Sequence, residues 1–143
     1  MKLPTALVQL LKRLPETPPT LGIVGVLNLV RQQLWPEEDF AWWEGRHVRM
    51  AVTDWDWGIT LSYQNGRFVC GDTPADVTLS ASLADYWQIA RRQEDPDTLF
   101  FQRRLSMTGD TELGLTLKNL MDATDFAPLL RFFPKPLREA WEK

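Results

Sequence analysis

DPDTLFFQRRLSMTGDTELGLTLKNLMDATD, residues Asp95 to Asp125, decides the fold of this chain. It reads as helix, short strand, turn and second helix. Asp97 follows Pro96 and is expected to cap a helix carrying Leu99, Phe100 and Phe101. Leu105 and Met107 alternate with Ser106 and Thr108, the period of a half-buried strand. Gly109-Asp110 then turns the chain, with Asp110 as N-cap and Glu112 as an acid in the first turn of the next helix. That helix presents Leu113, Leu117, Leu120 and Met121 at helical spacing, and Leu115 widens the apolar face. The stretch contains no evident nucleophile and no metal-ligand set. It offers hydrocarbon.

Upstream, from Gly45, the period is two. Val48, Met50 and Val52 alternate with Arg49, Ala51 and Thr53, and Asp54-Trp55-Asp56 makes a turn. Trp57, Ile59, Leu61 and Tyr63 follow in phase. Asn65-Gly66 predicts a two-residue type I′ hairpin that pairs Gln64 with Arg67, Tyr63 with Phe68 and Leu61 with Cys70. In that register Phe68 and Cys70 share the apolar sheet face with Ile59, Leu61 and Tyr63. Val77, Leu79 and Ala81 form a further strand, and Ser82 or Ala84-Asp85 opens a helix to about Arg92. The pattern is α+β: a five-stranded, mostly antiparallel sheet covered by helices on one face.

The N-terminal part reads as helical. Leu7, Leu10, Leu11 and Leu14 make a short amphipathic helix stopped by Pro15, and Pro18-Pro19 make a rigid joint. Thr20 is expected to cap a second helix to about Leu34, ended by Pro36. Its first half, Leu21–Val30, is apolar on every side, which implies burial or lipid contact. Gly22 and Gly25 would permit close approach of another element or a ligand. Three parts follow: 1–44, an N-terminal helical segment; 45–125, the core; and 126–143, a C-terminal lid or membrane-contacting segment, all in one domain.

LFFQRRL (Leu99–Leu105), GDTELGL (Gly109–Leu115) and KNLMDA (Lys118–Ala123) resemble bacterial sterol-carrier-protein-type (SCP2-like) lipid-binding domains. The likeness is closer still to the branch of accessory factors of oxygen-independent ubiquinone biosynthesis. It covers about 30 residues by motif, and the strand pattern extends it back to about residue 45. The resemblance implies a sheet and helices around an apolar cavity. It further implies an isoprenoid quinone intermediate or a phospholipid as ligand, and peptidase-like iron–sulfur hydroxylases as partners. The lining expected on this basis is Trp57, Ile59, Leu61, Leu113, Leu117, Leu120 and Met121, with Phe126, Leu130 and Phe133 as a lid at the mouth. The periodicity alone leaves a lined cavity and a solid core open, because both need inward apolar residues.

Charge is uneven. The net charge is −3, which argues against nucleic acid as a principal partner. Residues 1–15 carry Lys2, Lys12 and Arg13 with no acid (+3), and residues 126–143 carry +2, so the middle holds −8. Both positive ends are rich in apolar residues, a combination that suits an anionic membrane surface as well as ordinary terminal helices. The longest stretch without a charge, Thr17 to Val30, has 14 residues, too few to span a bilayer. A single cysteine and no apparent secretion signal make the cytoplasm the expected compartment, with peripheral contact on its membrane. The seven tryptophans mostly fall near element ends, where indole suits a half-wet edge.

Catalytic candidates are few. His47, the only histidine, falls on the polar phase of its strand without an orienting partner. Cys70 is expected to point inward as a small hydrophobe. Asp54 and Asp56 sit at i, i+2 in a turn, and turn formation is the commoner use of such a pair. Backbone N–H groups at Gly109-Asp110-Thr111 would suit a lipid phosphate or a quinone oxygen, although Asp110 itself occupies that position as a cap. No phosphate loop, zinc spacing or Ser-His-Asp order is present. The chain is expected to need no cofactor, to hold no metal and not to act as an enzyme. The rival readings are a membrane-surface scaffold with a solid core, and a head-group enzyme using Asp54, Asp56 and His47.

Overall fold

A computed structural model describes residues 15–142 together with Thr5, Val8, Gln9 and Arg13. The amphipathic helix expected on Leu7, Leu10, Leu11 and Leu14 lies outside the described residues. In chain order the elements are α1 (Thr17–Leu34), a 3-10 turn at Ala41–Trp43, β1 (His47–Val52), β2 (Trp57–Gln64), β3 (Arg67–Cys70), β4 (Val77–Ala81), α2 (Leu83–Ala90), α3 (Pro96–Phe101), β5 (Ser106–Gly109), α4 (Thr111–Ala123), a 3-10 segment at Ala127–Phe132, and α5 (Lys135–Glu142). The sheet order is β3-β2-β1-β4-β5. Three pairings are antiparallel and β1 with β4 is parallel, so the sheet is mixed but mostly antiparallel.

The hairpin has the register that Asn65-Gly66 predicts: Gln64 opposes Arg67, Tyr63 opposes Phe68 and Leu61 opposes Cys70. Both turn residues take positive φ, 56° and 81°, as a type I′ turn requires. Phe68 is fully buried, but Cys70 is exposed, contrary to expectation. It ends the edge strand, where no neighbouring strand lies on its outer side.

A parallel β1/β4 pair demands a crossover, and His47 anchors it. Its Nδ1 accepts the Asp72 N–H (2.9 Å), its N–H donates to Asp76 Oδ2 (2.7 Å) and its carbonyl accepts the Asp76 N–H (2.8 Å). The loop from Gly71 to Asp76 is thereby stitched to the start of β1. Gly109 permits the other side of this junction. Its φ is +99°, and a Cβ there would run into the Asp76 carbonyl.

The caps place the helices. Ser82 Oγ accepts the Asp85 N–H at the start of α2, and Asp110 Oδ1 accepts the Leu113 N–H at the start of α4. For α3 the cap is Asp95, not Asp97. With Pro96 at the first helical position, Asp95 holds the extended backbone and accepts the Asp97 N–H. Asp97 is thereby freed to pair with Lys118. The α1 helix starts earlier than Thr20, because Pro18 and Pro19 fall in its first turn, where prolines need no N–H partner. Thr20 instead returns its hydroxyl to the Glu16 carbonyl (2.7 Å).

The α1 helix is not buried all round. Val24, Val30 and Leu34 are buried, whereas Leu21 and Leu29 are 59% and 68% exposed. Among the described residues nothing approaches the glycines closely: a Cβ at Gly22 or Gly25 would meet nothing within 4 Å. Leu115, expected to widen the inner face of α4, is 43% exposed, while Lys118 takes an inner position. Gly114 provides the true close approach, since a Cβ there would come within 2.7 Å of Met107 Sδ on β5.

Candidate functional site

Between the sheet and its helices lies an apolar pocket of about 250 Å³. The sheet provides Val48 and Met50 from β1, Ile59 and Leu61 from β2, and Phe68 from β3. These stand on one face because the strand period is two and the hairpin register aligns them. Opposite, α4 contributes Leu117, Leu120 and Met121, and α2 contributes Tyr86, Ile89 and Ala90. Both triplets follow the i, i+3, i+4 spacing of a helix face. Leu27, Trp35, Trp43, Phe126 and Leu129 complete the lining.

The polar atoms of Tyr86 and Trp35 in this wall are committed to the protein. The Tyr86 hydroxyl lies 2.9 Å from the Ala51 carbonyl and 3.1 Å from that of Leu79, and burial pushes its phenol pKa well above the ordinary value. Trp35 Nε1 donates to Thr124 Oγ1 (2.7 Å), and that hydroxyl donates to the Leu120 carbonyl. Trp43 Nε1 has no hydrogen-bond partner among the described residues, but the atom is fully buried and is not presented to the pocket. What the pocket presents to a ligand is hydrocarbon.

Of the residues expected to line a cavity, the structure brings together Ile59, Leu61, Leu117, Leu120, Met121 and Phe126. Leu113 is buried in the core behind them. Trp57 is half-buried with its ring 6.0 Å from that of Trp55, off the pocket wall. Leu130 is half-buried, and Phe133 stacks on Trp87 at 6.0 Å. Sequence reasoning missed Leu27, Trp35, Trp43, Tyr86 and Leu129 as lining. The spacing of Tyr86, Ile89 and Ala90 was a readable signal for α2. The 3-10 turn that places Trp43 had none.

Of the catalytic candidates, His47 and Asp54 are employed in holding the fold. His47 and Asp76 hold the crossover, as described. Asp54 Oδ1 accepts the Leu83 N–H (2.7 Å) at the start of α2. Asp95, Asp97 and Asp122 gather their carboxylates within 4.8 Å of one another. Burial and the neighbouring Asp95 raise the Asp122 pKa above the usual carboxylate value. Lys118 already supplies a cation there, pairing with Asp97 from a side chain that is 7% exposed. Arg92 meanwhile donates to the Asp122 and Thr124 carbonyls, capping the C-terminal end of α4.

Among the described residues, no helix is long and apolar enough to cross a membrane. Residues 27–122 match the SCP-2 sterol transfer family. The chain is 45% identical over 114 residues to the ubiquinone biosynthesis accessory factor UbiT of Escherichia coli K12, and equally to that of strain O157:H7. Those alignments take in 79% of this chain and 63% of the relatives, so the chain spans less than two thirds of their length. Its fold matches a solved structure described as a UbiJ-SCP2 ubiquinone synthesis protein, with a TM-score of 0.59 at 20% identity, over 76% of this chain and 97% of that one. With a mixed five-stranded sheet, helices packed around it and a family match across two thirds of its length, the chain belongs to the SCP-2 sterol transfer family.

Proposed function

We propose that this protein is a non-catalytic lipid-binding accessory factor of ubiquinone biosynthesis. The observation that carries the reading is the pocket between sheet and helices, whose lining is apolar and whose Tyr86 and Trp35 polar atoms are used internally. Such a wall gains affinity by area, about 0.8 kcal/mol for each buried CH₂, without directed polar contacts. Its ligand is an isoprenoid quinone intermediate, ubiquinone itself or a phospholipid. The relatedness to UbiT supports the pathway, and the resemblance to the oxygen-independent branch supports peptidase-like iron–sulfur hydroxylases as the partners that receive the ring. Ile59, Leu61, Leu117, Leu120, Met121 and Phe126 are the proposed contacts. Trp57 and Leu113 support them, and Leu130 and Phe133 carry the lid.

Peripheral membrane contact belongs to the same reading. Leu21 and Leu29 stand exposed on α1, and Arg131 lies over the ring of the half-exposed Phe132 (4.8 Å) on the neighbouring 3-10 segment. Apolar side chains beside a cation suit an anionic bilayer, where the protein would collect its cargo.

Native mass spectrometry of the purified protein, with organic extraction, tests the proposal. A stoichiometric quinone, polyprenyl phenol or phospholipid is expected. Leu120→Trp, which fills the pocket from a half-buried position, should lower the bound lipid at least tenfold while the circular dichroism stays native. Undiminished lipid in that folded variant would remove the pocket from the argument. Absence of any lipid, with no binding of added ubiquinone analogues, would favour a solid-core membrane scaffold.

A further inference from the structure

We infer that the inner pocket is one half of a longer channel, continued through a gate formed by Leu27 and Leu129 into the outer groove between α1 and the 3-10 segment. The inference rests on the carrier reading and adds a second subsite for the ligand's hydrocarbon chain. Leu27 and Leu129 line both the pocket of about 250 Å³ and a separate apolar groove of about 400 Å³. Among the described residues they are the wall residues the two spaces share. The pocket alone falls below the roughly 300–1,000 Å³ of ordinary ligand sites, so it is too small for a chain of several isoprene units. Joined to the groove, it reaches the middle of that range. The groove has the chemistry of a chain subsite: Gly22, Ile23, Val26 and Phe132 form its walls, with no charged side chain among its lining residues. Continuity with the pocket therefore names the occupant as the distal part of the same lipid chain.

The gate is cheap to open. Both side chains are apolar, so their displacement breaks dispersion contacts and no hydrogen bond. Each is half-buried rather than enclosed in the core, which leaves room for a change of rotamer.

Gly22 makes the test clean. It lines the groove, yet among the described residues a Cβ there meets nothing within 4 Å, and leucine is the better helix former. Gly22→Leu should therefore fold while filling the groove. Gly25→Leu is the control: the same change one turn along, also unobstructed, outside the groove. For the full chain, the affinity of each variant relative to the parent is measured for ubiquinone homologues of increasing tail length, supplied from phosphatidylcholine vesicles. The ratio for Gly22→Leu should be near one for tails of one or two isoprene units and fall at least tenfold for tails of six or more. Gly25→Leu should stay near one throughout. A Gly22→Leu protein that binds long tails as the parent does would overturn the channel and leave the carrier reading standing. Unchanged affinities with a shift in oligomeric mass would assign the groove to a second copy of the chain and likewise overturn it. Failure of the parent to bind any homologue would bring down the carrier reading itself.

Discussion

Phe40 shows how a single residue is held against its own preference. It adopts a left-handed backbone (φ 58°), which is rare for an aromatic residue, and it is fully buried. The rings of Phe68 (5.1 Å), Trp35 (5.2 Å) and Tyr63 (5.3 Å) surround it and over-determine the conformation. Phe40→Ala should cost about 3–5 kcal/mol in urea unfolding, the range for emptying an aromatic core site. Glu16 makes a gentler prediction. Its bidentate pairing with Arg49 (2.9 and 3.1 Å) holds its carboxyl below the ordinary value of 4.5. A depressed carboxylate stabilises the fold above its unfolded pKa, and the contribution is lost as pH falls through the folded one. Asp122, whose pKa is raised, works in the opposite sense, since acidification relieves it. Glu16→Gln should flatten the loss of stability below pH 4.5 relative to the parent, by no more than about 1 kcal/mol because the pair is partly solvated. The alternation of Val48, Leu61 and Phe68 was legible in sequence because strand period is local. The positive φ of Phe40 was not, because distant rings impose it.

At the scale of elements, the sheet edge explains the placement of α1. An open edge strand is an aggregation hazard, and α1 covers β3 with a side chain that imitates a strand. Asn28 Nδ2 donates to the Phe68 carbonyl (2.9 Å) and Asn28 Oδ1 accepts the Phe68 N–H (2.8 Å). Arg31 adds a bond to the Gly66 carbonyl (2.7 Å). Asn28→Ala should destabilise by about 1–3 kcal/mol, because it leaves a partly buried backbone pair unsatisfied. The denaturation midpoint should fall with little change in slope, and concentration-dependent light scattering should rise as the bare edge recruits partners. The helix itself could be read from the apolar run and Pro36. The role of Asn28 could not, since its partner lies 40 residues away.

The whole molecule is a sheet whose one apolar face is shared between packing and an apolar space. Lys118 illustrates how the cover is locked on. It pairs with Asp97 and lies 5.8 Å from the Phe100 ring, tying α4 to α3. Removal of one partner of a buried pair leaves a desolvated charge. Lys118→Met keeps the stem without the charge, and Asp97 is about half exposed, so thermal unfolding should shift down only a few degrees. Lys118→Glu, which adds a fourth acid to the Asp95, Asp97 and Asp122 group it faces, should unfold the cover at a much lower temperature.

The sequence by itself determined the order of helices and strands from α1 to α4, the hairpin register, the cap at Asp110, and the apolar phase of β1 and β4. These follow from periods of two and 3.6 and from turn chemistry, which act within a few residues. The tertiary structure alone decided the parallel β1/β4 neighbourhood, the His47 crossover and the exposure of Cys70, Leu21 and Leu29. It also decided which inward residues touch one another and which face an apolar pocket. Inward leucines and phenylalanines obey the same pattern in either case, and the difference is set by how far sheet and helices stand apart.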